Sequence, residues 1–213
     1  MTGVYSLVSR SSTPIVSLGQ AKAQTNTVDF GDDDALLTAL LDVATAHLDL
    51  EHGIIGRPLL NQVWEYAAPG PTQSAPPFDP RLRGFPPMTG FLLDRAPLVS
   101  IDSVEYLLDG AYQTLATGQW VKRRISKELT FVRLATGVAW PRVDTDEEAW
   151  KITMTLGYGA TPDFVPAPIR QAALLMISHL YQNREAVSGF GAALQEVPLG
   201  VEALVGPFRA PNT

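Results

Sequence analysis

The chain has 213 residues, a formal net charge of −6, 46% hydrophobic and 18% charged residues, and no cysteine. That size allows one large domain, or one core carrying an inserted subdomain. The missing cysteines exclude disulfides, thiolate catalysis and cysteine-based zinc sites. The acidic balance argues against a general electrostatic nucleic-acid binder, which needs a basic face.

Acid is concentrated early: residues 1–60 carry 3 basic and 7 acidic groups, against 10 and 12 over 61–165 and 3 and 3 over 166–213. No apolar run approaches the roughly 20 residues that span a bilayer. The start, "MTGVYSLVSRSSTP", lacks the basic and continuous apolar regions of a signal peptide.

Residues 1–16 read as an extended arm, because Ser9, Ser11, Ser12, Thr13 and Pro14 favour irregular backbone. Ser17 is placed to cap a short helix, "LGQAKAQ". A stronger helix follows in "DDDALLTALLDVATAHLDLEHG". Asp32, Asp33 and Asp34 suit its start as caps and as partners of the helix dipole. Leu36, Leu37, Leu40, Leu41, Ala44 and Leu48 form an apolar stripe opposite Thr38, Asp42, Thr45 and Asp49, and Gly53 is a natural stop.

The period then changes. Residues 59–67 alternate as a strand. The Pro-rich stretch 69–90 reads as a long loop, since proline breaks both ladders and helices. Residues 91–95 are strand-like, and Asp109-Gly110 between two strand-prone runs predicts a hairpin. The runs "QWVKRRI" and "LTFVRL" predict another pair turning near Ser126-Lys127-Glu128. In "WKITMTLGYG", Trp150, Ile152, Met154 and Leu156 alternate with Lys151, Thr153 and Thr155, the cleanest strand pattern in the chain.

Pro168 fits the first turn of a long helix over 161–187, with Ile169, Ala172, Ala173, Met176, Ile177 and Leu180 on its apolar face. A connector over 188–200 leads to a short helix within 201–209. The expected class is α+β. Two long helices and shorter ones make a small bundle (17–58 and 161–187), with a β-rich subdomain (59–160) inserted between them, followed by the connector, short helix and tail (188–213).

Residues with chemical potential are few. His179 has no nucleophile motif nearby, and Glu185 is six positions on, off its helical face. His47 and Glu51 are spaced i, i+4 but His52 is turned away, and two ligands are too few for a metal. "DTDEE" (144–148) lacks the sixth-position glycine and twelfth-position glutamate of a calcium loop. "GFGAAL" (189–194) lacks the last glycine of a dinucleotide fingerprint and follows a helix. Packing or solvated roles are favoured for all of them, so no cofactor or metal is expected. A small hydrolase or metal enzyme built on His47, His179 and the carboxylates is the weakest alternative.

The one basic cluster, "WVKRRISK" (120–127), is a candidate for DNA or partner contact through Lys122, Arg123 and Arg124. Strand alternation splits Lys122 and Arg124 from Arg123. A solvated strand or protein contact is therefore favoured over a nucleic-acid-binding module, with the acidic first helix as a partner in an assembly.

Three ordered stretches carry a resemblance: "LDLEHGIIGRPLLNQVWE", "LGYGATPDFVPAPIRQAALLMISHLYQNREA" and "VPLGVEALVGPFR". Together they resemble the head–tail connector (adaptor, or head-completion) proteins of tailed bacteriophages and gene transfer agents. The matching residues are Gly56-Arg57, Gln62 to Trp64, Gly157-Tyr158-Gly159, Val165-Pro166, Ile169, Asn183-Arg184-Glu185 and Pro198 to Arg209. The chain departs from the pattern at Pro58 after Arg57 and at Val63 between Gln62 and Trp64. The family motifs give residues 1–16 and the Pro-rich loop no matching element.

The resemblance implies a non-enzymatic virion protein of the head–tail neck, made in the host cytoplasm. It implies a homo-oligomeric, dodecameric ring between the portal protein and a stopper or tail-completion protein, with genomic DNA passing through without sequence recognition and no membrane involved. The C-terminal segment would then dock on the portal, through Val201, Glu202, Leu204, Val205, Phe208 and Arg209. Arg57, Arg184 and Glu185 become candidates for subunit or helix-end contacts.

Overall fold

A computed structural model describes residues 3–49, 53–74, 88–184 and 199–210. They form a mixed α+β chain with two antiparallel sheets and four α-helices. The chain divides into two compact units, residues 1–10 with 61–157 and residues 11–60 with 158–213.

The first unit holds the strands. A five-stranded sheet has the order β1 (Val4–Arg10), β2 (Gln62–Ala68), β9 (Trp150–Leu156), β5 (Leu98–Leu108), β6 (Ala111–Thr114). A four-stranded sheet has the order β3 (Thr72–Ser74), β4 (Met88–Leu93), β8 (Thr130–Leu134), β7 (Trp120–Arg124). β9 is the centre of the larger sheet, and its alternation builds the core. Met154 pairs with Trp64 and Ile101, and Ile152 with Tyr66 and Val104. Trp150 pairs with Ala68 and Tyr106, so three apolar rows cross the sheet on one face. The other face carries the ion pair of Lys151 with Glu65 at 3.1 Å.

Phe91 of the smaller sheet meets the larger sheet's Trp150 and Tyr66, with ring centroids 5.4 and 6.4 Å apart. Trp140 packs edge-on against both Phe91 and Trp150. The tilted and edge-to-face geometries are those aromatic quadrupoles prefer.

The Asp109-Gly110 hairpin is present. Both residues have positive φ, 51° and 76°, the conformation that a tight two-residue turn between twisted strands demands. Hairpin β7–β8 also forms, turning through residues 125–129.

The N-terminal segment departs from the sequence expectation. Residues 4–10 of the extended arm are not irregular but form the edge strand β1, paired with β2 from Val4↔Ala67 to Arg10↔Gln62. The strand unit is therefore more than an insertion between helices, because its first strand precedes them. The pairing gives the outer edge of β2 backbone partners that it would otherwise lack. Tyr5 secures it by packing its ring, tilted, against Tyr66 with centroids 4.9 Å apart, and through its hydroxyl, which donates to Asp94 Oδ1 and accepts from Asp94 N–H, both at 3.1 Å. The expected Pro-rich loop is shorter at both ends, where β3 and β4 form, and residues 75–87 lie outside the described set.

The second unit holds α1 (Leu18–Thr25), α2 (Asp34–Leu48), α3 (Ala167–Gln182) and α4 (Leu199–Val205). α2 packs on α3, α1 on both, and α4 on α3. Ser17 and Gln20 form a reciprocal capping box at α1. The core joins Leu37, Leu41, Ala44 and Leu48 of α2 to Ile169, Ala172, Ala173, Met176 and Ile177 of α3. Both long helices end earlier than expected, at Leu48 and Gln182. Asp49 is the extended C-cap of α2, and its carboxylate accepts the N–H of Leu59 at 2.9 Å. Asn183 caps α3, with its backbone N–H and its side chain both donating to the His179 carbonyl.

Candidate assembly surfaces

Three groups of residues were expected to meet partners, and the structure places each differently. The C-terminal group is the most changed. Val201 and Val205 are 0% exposed, inside the core of the helical unit. They follow i, i+4 spacing on the inner side of α4, so they hold the segment down and offer nothing to a partner. Glu202, Leu204 and Phe208 are half-buried and Arg209 is exposed, and these keep surface to present. Arg209 is tied to Glu202 by an ion pair of 2.5 Å.

Arg57 is also a structural residue, only 8% exposed. Its guanidinium donates to two carbonyls of the C-terminal segment, Nε to Phe208 at 2.7 Å and Nη2 to Arg209 at 3.3 Å. Beside it, Ala210 N–H donates to the Ile55 carbonyl at 2.8 Å. Gly56 sits between them with φ of 66°, and a Cβ there would press on the Ala210 methyl at 3.3 Å. The Gly-Arg turn is thus the socket of the C-terminal segment.

Arg184 stays at the end of α3. Its Nη2 donates to Asp33 Oδ2 at 2.9 Å, and the guanidinium lies over the Tyr181 ring at 4.5 Å. The Tyr181 hydroxyl donates to the same carboxylate oxygen at 2.5 Å. The hydrogen bonds from Tyr181 and Arg184 hold the Asp33 carboxyl below the usual carboxylate range. Asp33 was expected to cap α2 with its side chain. It occupies the N-cap position but makes no capping bond, because these two donors claim its carboxylate. Glu185 lies outside the described residues.

Strand β7 shows what the alternation predicted, and more. Lys122 and Arg124 share one side and Arg123 does not join them. The pair lines a hollow of about 280 Å³, with Lys127 from the following turn and Arg95 from the loop after β4. Arg95 is fixed by its guanidinium stacking on Tyr5 and Trp64, at 4.7 and 4.5 Å. Arg124 Nε donates to the Ser126 carbonyl at 3.1 Å. Lys127 closes the basic run that the sequence shows, whereas Arg95 was missed by motif reading. Arg95 is 27 positions before Lys122, and only the packing of the first unit brings them to one hollow.

The histidines stay separate from any such cluster. His179 contacts Asn183, while His47 lies on α2 with its Nε2 buried and unpartnered among the described residues. Glu51, His52 and residues 189–194 lie outside the described residues, and among the rest no group of three His, Asp or Glu could hold a metal. No described helix is long and apolar enough to cross a membrane.

Neither a protein-family model nor a curated protein matches the sequence. Solved structures do match its fold. A chain from the neck of an empty gene transfer agent (GTA) particle, computed with C6 symmetry, superposes with a TM-score of 0.65 at 19% identity, covering 99% of this chain and 97% of that one. A chain from the virion of the native particle gives 0.61 at 20%, with the same coverage. A chain from the native neck computed with C12 symmetry gives 0.58 at 21%, covering 98% and 97%. Across nearly its whole length, this protein has the fold of chains found in gene transfer agent particles and their necks.

Proposed function

We propose that the protein is a structural, non-enzymatic component of the neck of a phage-like particle. In this role it assembles as a homo-oligomeric ring, completes the head below the portal, and leaves a channel for DNA on the way to the stopper or tail. The observation that carries this reading is the end-to-end fold likeness to GTA neck chains, at near-complete coverage of both molecules. The C12 symmetry of one of those necks supports a dodecamer. The ordered Gly56-Arg57, Gly157-Tyr158-Gly159 and Asn183-Arg184 signatures supply an independent, sequence-level argument for the same place in the particle.

The groups of the C-terminal segment that keep surface, half-buried Glu202, Leu204 and Phe208 and exposed Arg209, are the proposed portal contact. A net charge of −6 suits a ring that lets DNA pass without holding it. The test is negative-stain microscopy of the protein mixed with the portal protein of its own particle. Twelve-fold rings seated on the portal are expected, and absence of binding at high protein concentration overturns the reading.

A further inference from the structure

The hollow beside β7 is lined by four cations and one carboxylate, Arg95, Lys122, Arg124, Lys127 and Glu128, with Leu98 adding apolar surface. The helical unit carries a complementary feature. Between α1 and α2, residues 27–34 make two successive turns, closed by Phe30 N–H to the Thr27 carbonyl and Asp34 N–H to the Gly31 carbonyl, each 3.1 Å. These turns display Val28 and Phe30, 62% and 64% exposed, beside the exposed carboxylates of Asp29 and Asp32. Large apolar side chains held this open, flanked by acid, match a hollow in which basic groups stand beside the apolar side chain of Leu98.

We infer that the Val28–Asp32 turn of one copy seats in the Arg95/Lys122/Arg124/Lys127 hollow of the next. The two surfaces differ, so the contact is head-to-tail, the kind that closes into a ring when repeated by rotation. The inference rests on the ring-forming function proposed above and names the contact that would build it. A second copy fits the hollow better than nucleic acid. The chain as a whole is acidic and repels a polyanion, Glu128 lines the hollow with the cations, and phosphates offer no match to the Leu98 side of it.

Charge reversal in the full-length chain tests this. Lys122→Glu/Lys127→Glu makes hollow and turn both acidic; Asp29→Lys/Asp32→Lys makes both basic. Each variant alone should associate about 10- to 100-fold more weakly than wild type in sedimentation at low salt. Mixed in equal amounts, the two should recover assembly with strict alternation, read as a 1:1 composition by native mass spectrometry. Phe30→Ala should weaken wild-type association without altering its salt dependence.

Variants that assemble alone as wild type does, or a mixture that stays apart, overturn the contact while leaving the ring reading intact. Wild-type protein that stays monomeric at every concentration, with and without portal, overturns both. Binding of a fluorescent DNA duplex at physiological salt that is lost in Lys122→Glu/Lys127→Glu assigns the hollow to phosphate and overturns the contact as well.

Discussion

Arg57 reaches the carbonyl of Phe208 across 151 positions of sequence, Nε donating at 2.7 Å. A second bond from the same guanidinium to Arg209 makes this one side chain the clasp of the C-terminal segment. A charged donor that is almost wholly buried is stabilising only while its acceptors stay in place. Arg57→Ala should lower the stability of the helical unit by about 2 kcal/mol, since two carbonyls lose their donor together. Hydrogen exchange across residues 199–210 should rise by more than that in α2. Unchanged exchange there would show that α4 is held by its valines alone.

Those valines make the second prediction. Val201 and Val205 lie on the buried side of α4, whereas Glu202 belongs to an ion pair about two-fifths exposed at each end. Val201→Ala should cost about 2 kcal/mol of stability through lost apolar burial and the space left behind. Glu202→Ala should cost at most about 1 kcal/mol, the range of exposed pairs. Urea denaturation separates the two, and equal costs would return Val201 to the surface.

Some of this architecture is legible in sequence because its cause is local. Asp109-Gly110 turns a hairpin since both residues tolerate the positive φ they adopt. β9 reads correctly because alternate residues from Trp150 to Leu156 are buried and half-buried in strict succession. The capping box at Ser17 needs only Gln20 three positions on. β1 is illegible for the opposite reason. All its residues but Tyr5 are exposed, so no alternation marks it, and its state is imposed by the edge of β2. The candidate surfaces follow the same division. The basic run at Lys122 is visible, but Arg95 joins it only through the fold, and no local pattern tells a clasp such as Arg57 from a surface arginine.

Tyr5 offers a test of that imposed strand. Its hydroxyl both donates to and accepts from Asp94, and burial raises its pKa far above the ordinary phenol value. Tyr5→Phe keeps the tilted ring contact but leaves the Asp94 N–H without this acceptor. The strand unit should lose about 1–2 kcal/mol, and exchange of the β1 amides should quicken before that of β9. Equal protection in both proteins would show that the backbone ladder suffices.

Asp33 makes the last prediction one about pH. Hydrogen bonds from Tyr181 and Arg184 depress its folded pKa, so its carboxylate is favoured by folding. A depressed carboxyl contributes stability that is complete above its unfolded pKa, about 3.9, and that fades as pH falls through the lower folded value. Asp33→Asn removes the charge at every pH. The difference in denaturation midpoint between wild type and variant should therefore hold level from pH 7 to pH 5. It should close below about pH 4 as the wild-type carboxyl protonates. Raising salt should narrow the gap at neutral pH, because Arg184 and Asp33 are both partly open to solvent. A gap that stays constant down to pH 2.5 would mean that Asp33 acts through its shape at the N-cap, and that its charge does not fasten the end of α3 to the start of α2.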